Sequence, residues 1–131
     1  MSRDITKANK TLQEFFPVLK AKYEALHPGT ELFITHVDRT PVEQLLLFVQ
    51  GRLPSYPGPI VTWKDGFMSK SRHNDLPLSG AIDVAVKVNG VVSWNLCYVI
   101  KIGALLADSP FADRIRWGGT FSDYYHFEIK R

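Results

Sequence analysis

The dipeptide Asn89-Gly90 stands between two runs of strand-forming residues, Ala81 to Val88 and Val91 to Trp94. A two-residue turn of type I′ needs positive φ at both positions, which Asn and Gly tolerate at least cost, and its twist matches that of the strands it joins. The chain must therefore build an antiparallel hairpin here. Alternation and β-branched content predict a further strand over Glu31 to Val37, another around Arg114–Trp117, and a last short one at His126–Ile129.

Helical patterns lie between these strands. Leu12, Phe15, Phe16, Leu19, Tyr23 and Leu26 form one apolar stripe, stopped by His27-Pro28-Gly29, with Pro17 marking a kink or a helix start inside it. Thr40 as N-cap, Pro41 as the first helical residue and Glu43 three after the cap make a capping box. The helix that follows should bury Leu45, Leu46 and Val49 and end near Gly51-Arg52. Pro54 to Pro59 then reads as an extended loop. Asn95 caps a third helix carrying Leu96, Val99, Ile100, Leu105 and Leu106. Interleaved helices and antiparallel strands predict an α+β fold, an antiparallel sheet with packed helices, in a single small domain over 1–131. With 131 residues, 45% of them apolar, such a domain can bury a core unaided.

The single cysteine, Cys97, excludes an internal disulfide and a multi-cysteine metal site, and its apolar neighbours predict a buried structural thiol. The net charge of +3 and pI near 9.1 suit approach to a polyanion. The cations are scattered and no nucleic-acid-binding motif occurs, so nucleic acid is not an expected partner. No apolar run is long enough to cross a membrane, and the first residues lack the apolar centre of a signal peptide, so synthesis in the cytoplasm is expected.

Any metal must then be held by histidine and carboxylate. His27 sits in a turn facing solvent, and His36 reads as a hydrogen-bonded histidine of a strand near Arg39. His73, in Ser71-Arg72-His73-Asn74, and His126, in Asp123-Tyr124-Tyr125-His126-Phe127-Glu128, have sharper surroundings. Two histidines and one carboxylate leave a fourth tetrahedral position open, which separates catalytic from structural zinc. A further carboxylate must then move the proton, and Asp123 and Glu128 are the local candidates. Glu128 shares a strand face with His126, which also suits a group that orients the ligand. Trp117 serves equally as core or as substrate platform, and Gly118-Gly119 as a turn of close backbone approach.

Ser71-x-His73, Gly80-Ala81-Ile82-Asp83, Trp117-Gly118-Gly119 and Asp123-x-x-His126-Phe127-Glu128 resemble the D-Ala-D-Ala carboxypeptidase family of zinc peptidases. That family includes vancomycin-resistance dipeptidases and phage L-alanyl-D-glutamate endopeptidases. Asp38-Arg39-Thr40-Pro41…Gln44…Gln50-Gly51-Arg52 is similar to the family's Arg-Thr-Pro…Gln…Gln-Gly-Arg helix. The resemblance runs from about Ile34 to the C-terminus and is strongest to the phage endolysin branch.

What the resemblance implies is specific. The fold would be hedgehog/D-Ala-D-Ala-peptidase-like. His73, Asp83 and His126 would bind Zn2+, Asp123 would be the acid/base carboxylate, and Arg39 would stabilise the oxyanion. Ser71 and Gln44 match positions beside the substrate. The first histidine and the aspartate are ten apart here, against the family's usual seven, with Asp75 inside the interval as the rival ligand. The implied activity is hydrolysis of peptidoglycan stem peptides between L-alanine and D-glutamate. A D,D-carboxypeptidase or dipeptidase acting on D-Ala-D-Ala is the alternative, and a non-catalytic wall-binding or virion protein is the other. The implied setting is a monomer that is released to the cell wall through a holin.

Overall fold

The computed structural model describes residues 2–130. A helix α1 (Lys10–Leu26) is followed by β1 (Thr30–His36), α2 (Pro41–Val49), β2 (Ala81–Val88), β3 (Val91–Ser93), α3 (Leu96–Ala107), β4 (Ile115–Trp117) and β5 (His126–Ile129). The strands form one antiparallel sheet in the order β1-β2-β5-β4, with β3 pairing the far end of β2. The fold is α+β, as the element pattern predicts.

Local chemistry sets the boundaries. Asn9 caps α1 through its side chain, which accepts from Thr11 N, and the helix runs through Pro17 without ending. At α2 both halves of the Thr40/Glu43 capping box are made. Asn95 caps α3 by accepting from Cys97 N. Asn89 and Gly90 take φ of 50° and 82°, as the hairpin requires.

The sheet has two unlike faces. Ile82, Val84 and Val86 of β2, with Leu32 and Phe127, face α1 and α3 and join Leu12, Phe15, Leu19, Tyr23, Val99 and Ile102 in one core. Phe15 is its hinge, with ring centroids 5.5 Å from Phe111 and 5.3 Å from Phe127. Residues between these on β2 and β5, including Asp83, His126 and Glu128, point to the opposite face.

Three expectations about burial are corrected. Leu45 and Leu46 are not the buried face of α2, being 36% and 48% exposed; the residue α2 buries is Gln44. The helix turns Gln44 to Arg39 and the 62–66 segment, where a buried amide finds partners and a leucine would not. Cys97 is exposed, because α3 turns Val99, Ile102 and Leu106 to the core and leaves its first turn at the surface. Leu26 closes the predicted stripe of α1 but is 62% exposed in the last turn, beyond the edge of the core.

A candidate metal centre on the polar face of the sheet

The register of three strands assembles the site. Asp83 on β2 lies opposite His126 on β5 and opposite His36 on β1, so the three share one row and one face. His36 reaches that row through a bulge between Ile34 and His36, without which Thr35 would stand opposite Asp83. The fourth member comes from outside the sheet. A short turn of 3-10 helix (Arg72–Asn74), capped by Ser71, carries His73 over the same face.

The ten-residue interval from His73 to Asp83 closes locally. Gly80 N donates to the Arg72 carbonyl at 2.9 Å, bringing the chain back to where the loop began. Ser79 exchanges backbone bonds with Lys7 and Asn9, each 2.8 Å, so the loop is also fastened to the N-terminal segment. Leu76, at 86% exposed, marks the part that bulges into solvent. Asp75, the rival ligand, is turned onto the Arg72 guanidinium instead. A Cβ at Gly80 would lie 2.2 Å from Asp75 Oδ2, so glycine is what lets this ion pair sit against the returning chain.

His73, Asp83 and His126 each offer one ligand atom, and these atoms lie within 4.8 Å of one another. His73 Nε2 is 3.3 Å and His126 Nδ1 is 3.0 Å from Asp83 Oδ1. The ring nitrogens facing away are both engaged. His73 Nδ1 lies 2.6 Å from the Val37 carbonyl, and His126 Nε2 lies 2.8 Å from Glu128 Oε1. An N–H donated outward fixes the tautomer and leaves the inward lone pair for a cation, which is how metal-ligating histidines are held. Arg116 Nη2 in turn donates to Glu128 Oε2 at 2.9 Å. The donor set therefore fits a divalent metal that accepts imidazole and carboxylate, zinc among them.

Charge follows from this geometry. Burial alone would raise Asp83, but hydrogen bonds with His126, His36 and His73 hold it well below the carboxylate range. Burial works against a charged His126, yet Asp83 and Glu128 outweigh it and lift the ring to about 9. Glu128, against its own burial, is held down to about 2 by His126 and Arg116. Asp123 is pushed upward by burial in the cleft wall, with Asp83 adding to the shift and His126 opposing it. Asp123 Oδ2 is 3.8 Å from His126 Nδ1, and its side chain is still 58% exposed toward solvent.

These groups line a cleft of about 1190 Å³. Arg39, Ser71 and Asp123 border it beside the cluster, and Leu47, Val61 and Trp63 supply a more apolar wall. Arg39 is stitched to the His73 turn: its N–H donates to the His73 carbonyl at 2.9 Å, and Asn74 Nδ2 donates to the Arg39 carbonyl at 2.8 Å. Burial lowers the Arg39 pKa against the pull of Asp83, Glu43 and Asp123. Gln44, expected beside the substrate, is fully buried behind Arg39 and forms no part of the cleft surface.

Glycines shape the floor. A Cβ on Gly118 would lie 2.1 Å from the Asp123 carbonyl oxygen and 2.9 Å from His126 Cβ. Trp117 packs across Gly103 and Gly119, where a Cβ would meet its ring at 2.4 and 2.3 Å, and its Nε1–H donates to the Tyr124 carbonyl. Trp117 is thus a packing residue that braces the turn before His126. His36 and Arg116 are the members that residue-by-residue reading did not place at the site. His36 sits with Nδ1 3.6 Å from Asp83 Oδ2, and its only advance signal was a strand position whose register a bulge then shifted.

Among solved structures, the chain is similar to the crystal structure of the L-Ala D-Glu endopeptidase ChiX of Serratia marcescens. The TM-score is 0.51 and the identity 20%, over 98% of this chain and 90% of that one. At that identity the likeness shows the fold: a small α+β peptidase-like domain. No family model and no curated protein sequence matches the chain. No helix among the described residues is long and apolar enough to cross a membrane.

Proposed function

We propose that this protein is a zinc-dependent peptidoglycan peptidase that cuts stem peptides between L-alanine and D-glutamate, in the manner of phage endolysins. The observation that carries the reading is the convergence of His73, Asp83 and His126, each with one donor atom turned inward, at the floor of an open cleft. The fold shared with an L-Ala D-Glu endopeptidase supports it, as do the sequence blocks around these residues.

When bound, zinc would polarise the scissile carbonyl and lower the pKa of a water toward ~7. The protein's own groups do the rest. Asp123 stands at the cleft side of His126, accessible to solvent, and takes a proton from the attacking water. Its raised pKa suits returning that proton to the departing amine. Arg39, held against the His73 turn, places positive charge where the carbonyl oxygen becomes an oxyanion. Ser71 borders the cleft and is positioned to meet substrate backbone. Glu128 is spent on His126 and Arg116, so it orients the ligand and leaves the proton transfer to Asp123.

The test is a digest of a defined stem peptide, with and without chelator, read by mass analysis. Release of an L-alanine-terminated fragment that chelation abolishes is the expected result. Loss of terminal D-alanine alone would select the D,D-carboxypeptidase reading. No cleavage, together with no zinc in the purified protein, would leave a wall-binding relative.

A further inference from the structure

Helix α2 buries, against Arg39 and the Thr62–Lys64 segment, a residue that an amphipathic helix would leave in water. Gln44 has no accessible surface, while Val42, Leu45 and Leu46 around it are exposed. Burying a neutral amide is costly unless its polar atoms are bonded. Here Oε1 accepts from Arg39 Nη1 at 2.7 Å, and Nε2 donates to the Lys64 carbonyl at 2.8 Å and to Thr62 Oγ1 at 3.2 Å. One amide thus joins the guanidinium on one side of the cleft to the segment that forms another of its walls, since Arg39, Thr62 and Lys64 all line it.

A second feature holds the same segment against α2 at Gln44. Gly66 has φ of 90°, and a Cβ there would lie 2.8 Å from Gln44 Cβ and 2.7 Å from the Pro41 carbonyl oxygen. Only a glycine lets the chain after Lys64 turn back against α2 at that distance. Packing alone would be met by a leucine or methionine at position 44. An amide is needed only if its donor and its acceptor both have a task.

We infer that Gln44 is a positioning residue: it sets the Arg39 guanidinium over the cleft and locks the Thr62–Lys64 wall to it. The inference rests on the peptidase reading for its kinetic consequence, though not for its structural one. A displacement of about 1 Å in a charge-stabilising group can cost about 100-fold in rate. Gln44→Met keeps the volume and removes every hydrogen bond. Gln44→Glu keeps an acceptor for Arg39 and removes the donors to the wall.

The experiment measures kcat and KM on a stem peptide for both variants, in wild-type and Arg39→Ala backgrounds, beside zinc stoichiometry. Gln44→Met should lower kcat by about 10- to 100-fold with zinc content unchanged, and should cost less than about 3-fold more once Arg39 is gone. Gln44→Glu should recover most of kcat and raise KM, because the guanidinium is held while the wall is released. Equal losses from Gln44→Met in both backgrounds would overturn the inference. Should Gln44→Met fail to fold, Gln44→Glu still tests the link to the wall: KM should rise with kcat near wild type, and an unchanged KM would overturn the inference. Nitrogen NMR of the Arg39 side chain gives a readout independent of turnover: guanidinium rotation should be slow in wild type and in Gln44→Glu, and fast in Gln44→Met. If wild type cleaves no peptide, the proposed function fails while this signal still decides the role of Gln44. Unchanged rotation in Gln44→Met would sink it.

Discussion

Asp83 and His126 stand directly opposite each other on antiparallel neighbours, with Asp83 Oδ1 3.0 Å from His126 Nδ1. Because two residues two apart on a strand share a face, Glu128 falls behind the same ring and takes its other nitrogen at 2.8 Å. The carboxylate-imidazole-carboxylate line is therefore a product of strand register.

Glu128→Gln should weaken zinc binding by about 10- to 100-fold, the usual effect of removing the partner behind a ligating histidine. Competition with a coloured chelator measures it. An affinity equal to wild type would show that His126 needs no such support. Asp123→Asn is the contrasting variant: it should leave zinc content intact and remove turnover.

His36 approaches the outer oxygen of Asp83, with Nδ1 3.6 Å from Oδ2. Its ring is partly exposed, so the expected effect is smaller than for Glu128. His36→Ala should reduce zinc affinity by about 10-fold, at the low end for such outer partners. If zinc affinity does not move, His36 only neighbours the site.

The metal-free protein should have a bounded pH range of greatest stability. The His126 ring rises from 6.5 to about 9 on folding, so its contribution is complete below pH 6.5 and is lost as pH climbs through about 9. Glu128 falls from 4.5 to about 2, so its contribution is complete above pH 4.5 and is lost as pH drops through about 2. Melting temperature in chelator should thus peak between about pH 4.5 and 6.5 on account of this pair. His126→Gln should flatten the alkaline arm. Zinc should stabilise more as pH rises, since ligation requires neutral rings.

Burial separates two apolar residues that the sequence makes look alike. Phe15 is 1% exposed and touches two other rings, so Phe15→Ala should cost about 3–5 kcal/mol of unfolding free energy. Leu46 is 48% exposed, and Leu46→Lys should change stability by no more than about 0.5 kcal/mol. Denaturant titration of both variants checks the contrast. A large loss from Leu46→Lys would mean that α2 is covered in solution.

Gly118→Ala tests the floor of the cleft. The new methyl would meet the Asp123 carbonyl and His126 Cβ, so the turn joining Asp123 to His126 must move. A loss of about 1–3 kcal/mol is expected from the overpacking, accompanied by weaker zinc binding. Gly90→Ala, where a Cβ meets nothing within 4 Å, should disturb only the hairpin.

Much of the fold and part of the site follow from residues close together in the chain. Thr40, Pro41 and Glu43 start α2, Asn89-Gly90 turns the hairpin and Asn95 starts α3, because each motif satisfies its own backbone groups within a few residues. Asp123, His126 and Glu128 are likewise legible together, since one short strand and one tight turn hold all three. What only the tertiary structure decides is what each surface meets. The bulge in β1 moves His36 into the row of Asp83, and the Gly80–Arg72 bond closes a long interval so that His73 can reach it. Gln44 is buried and Leu46 exposed because α2 packs its Gln44 side on Arg39 and the Thr62–Lys64 segment, and Cys97 is exposed because α3 begins beyond the core. Periodicity reveals that a helix has two faces; which one is covered depends on partners many residues away, and those are fixed only when the chain has packed.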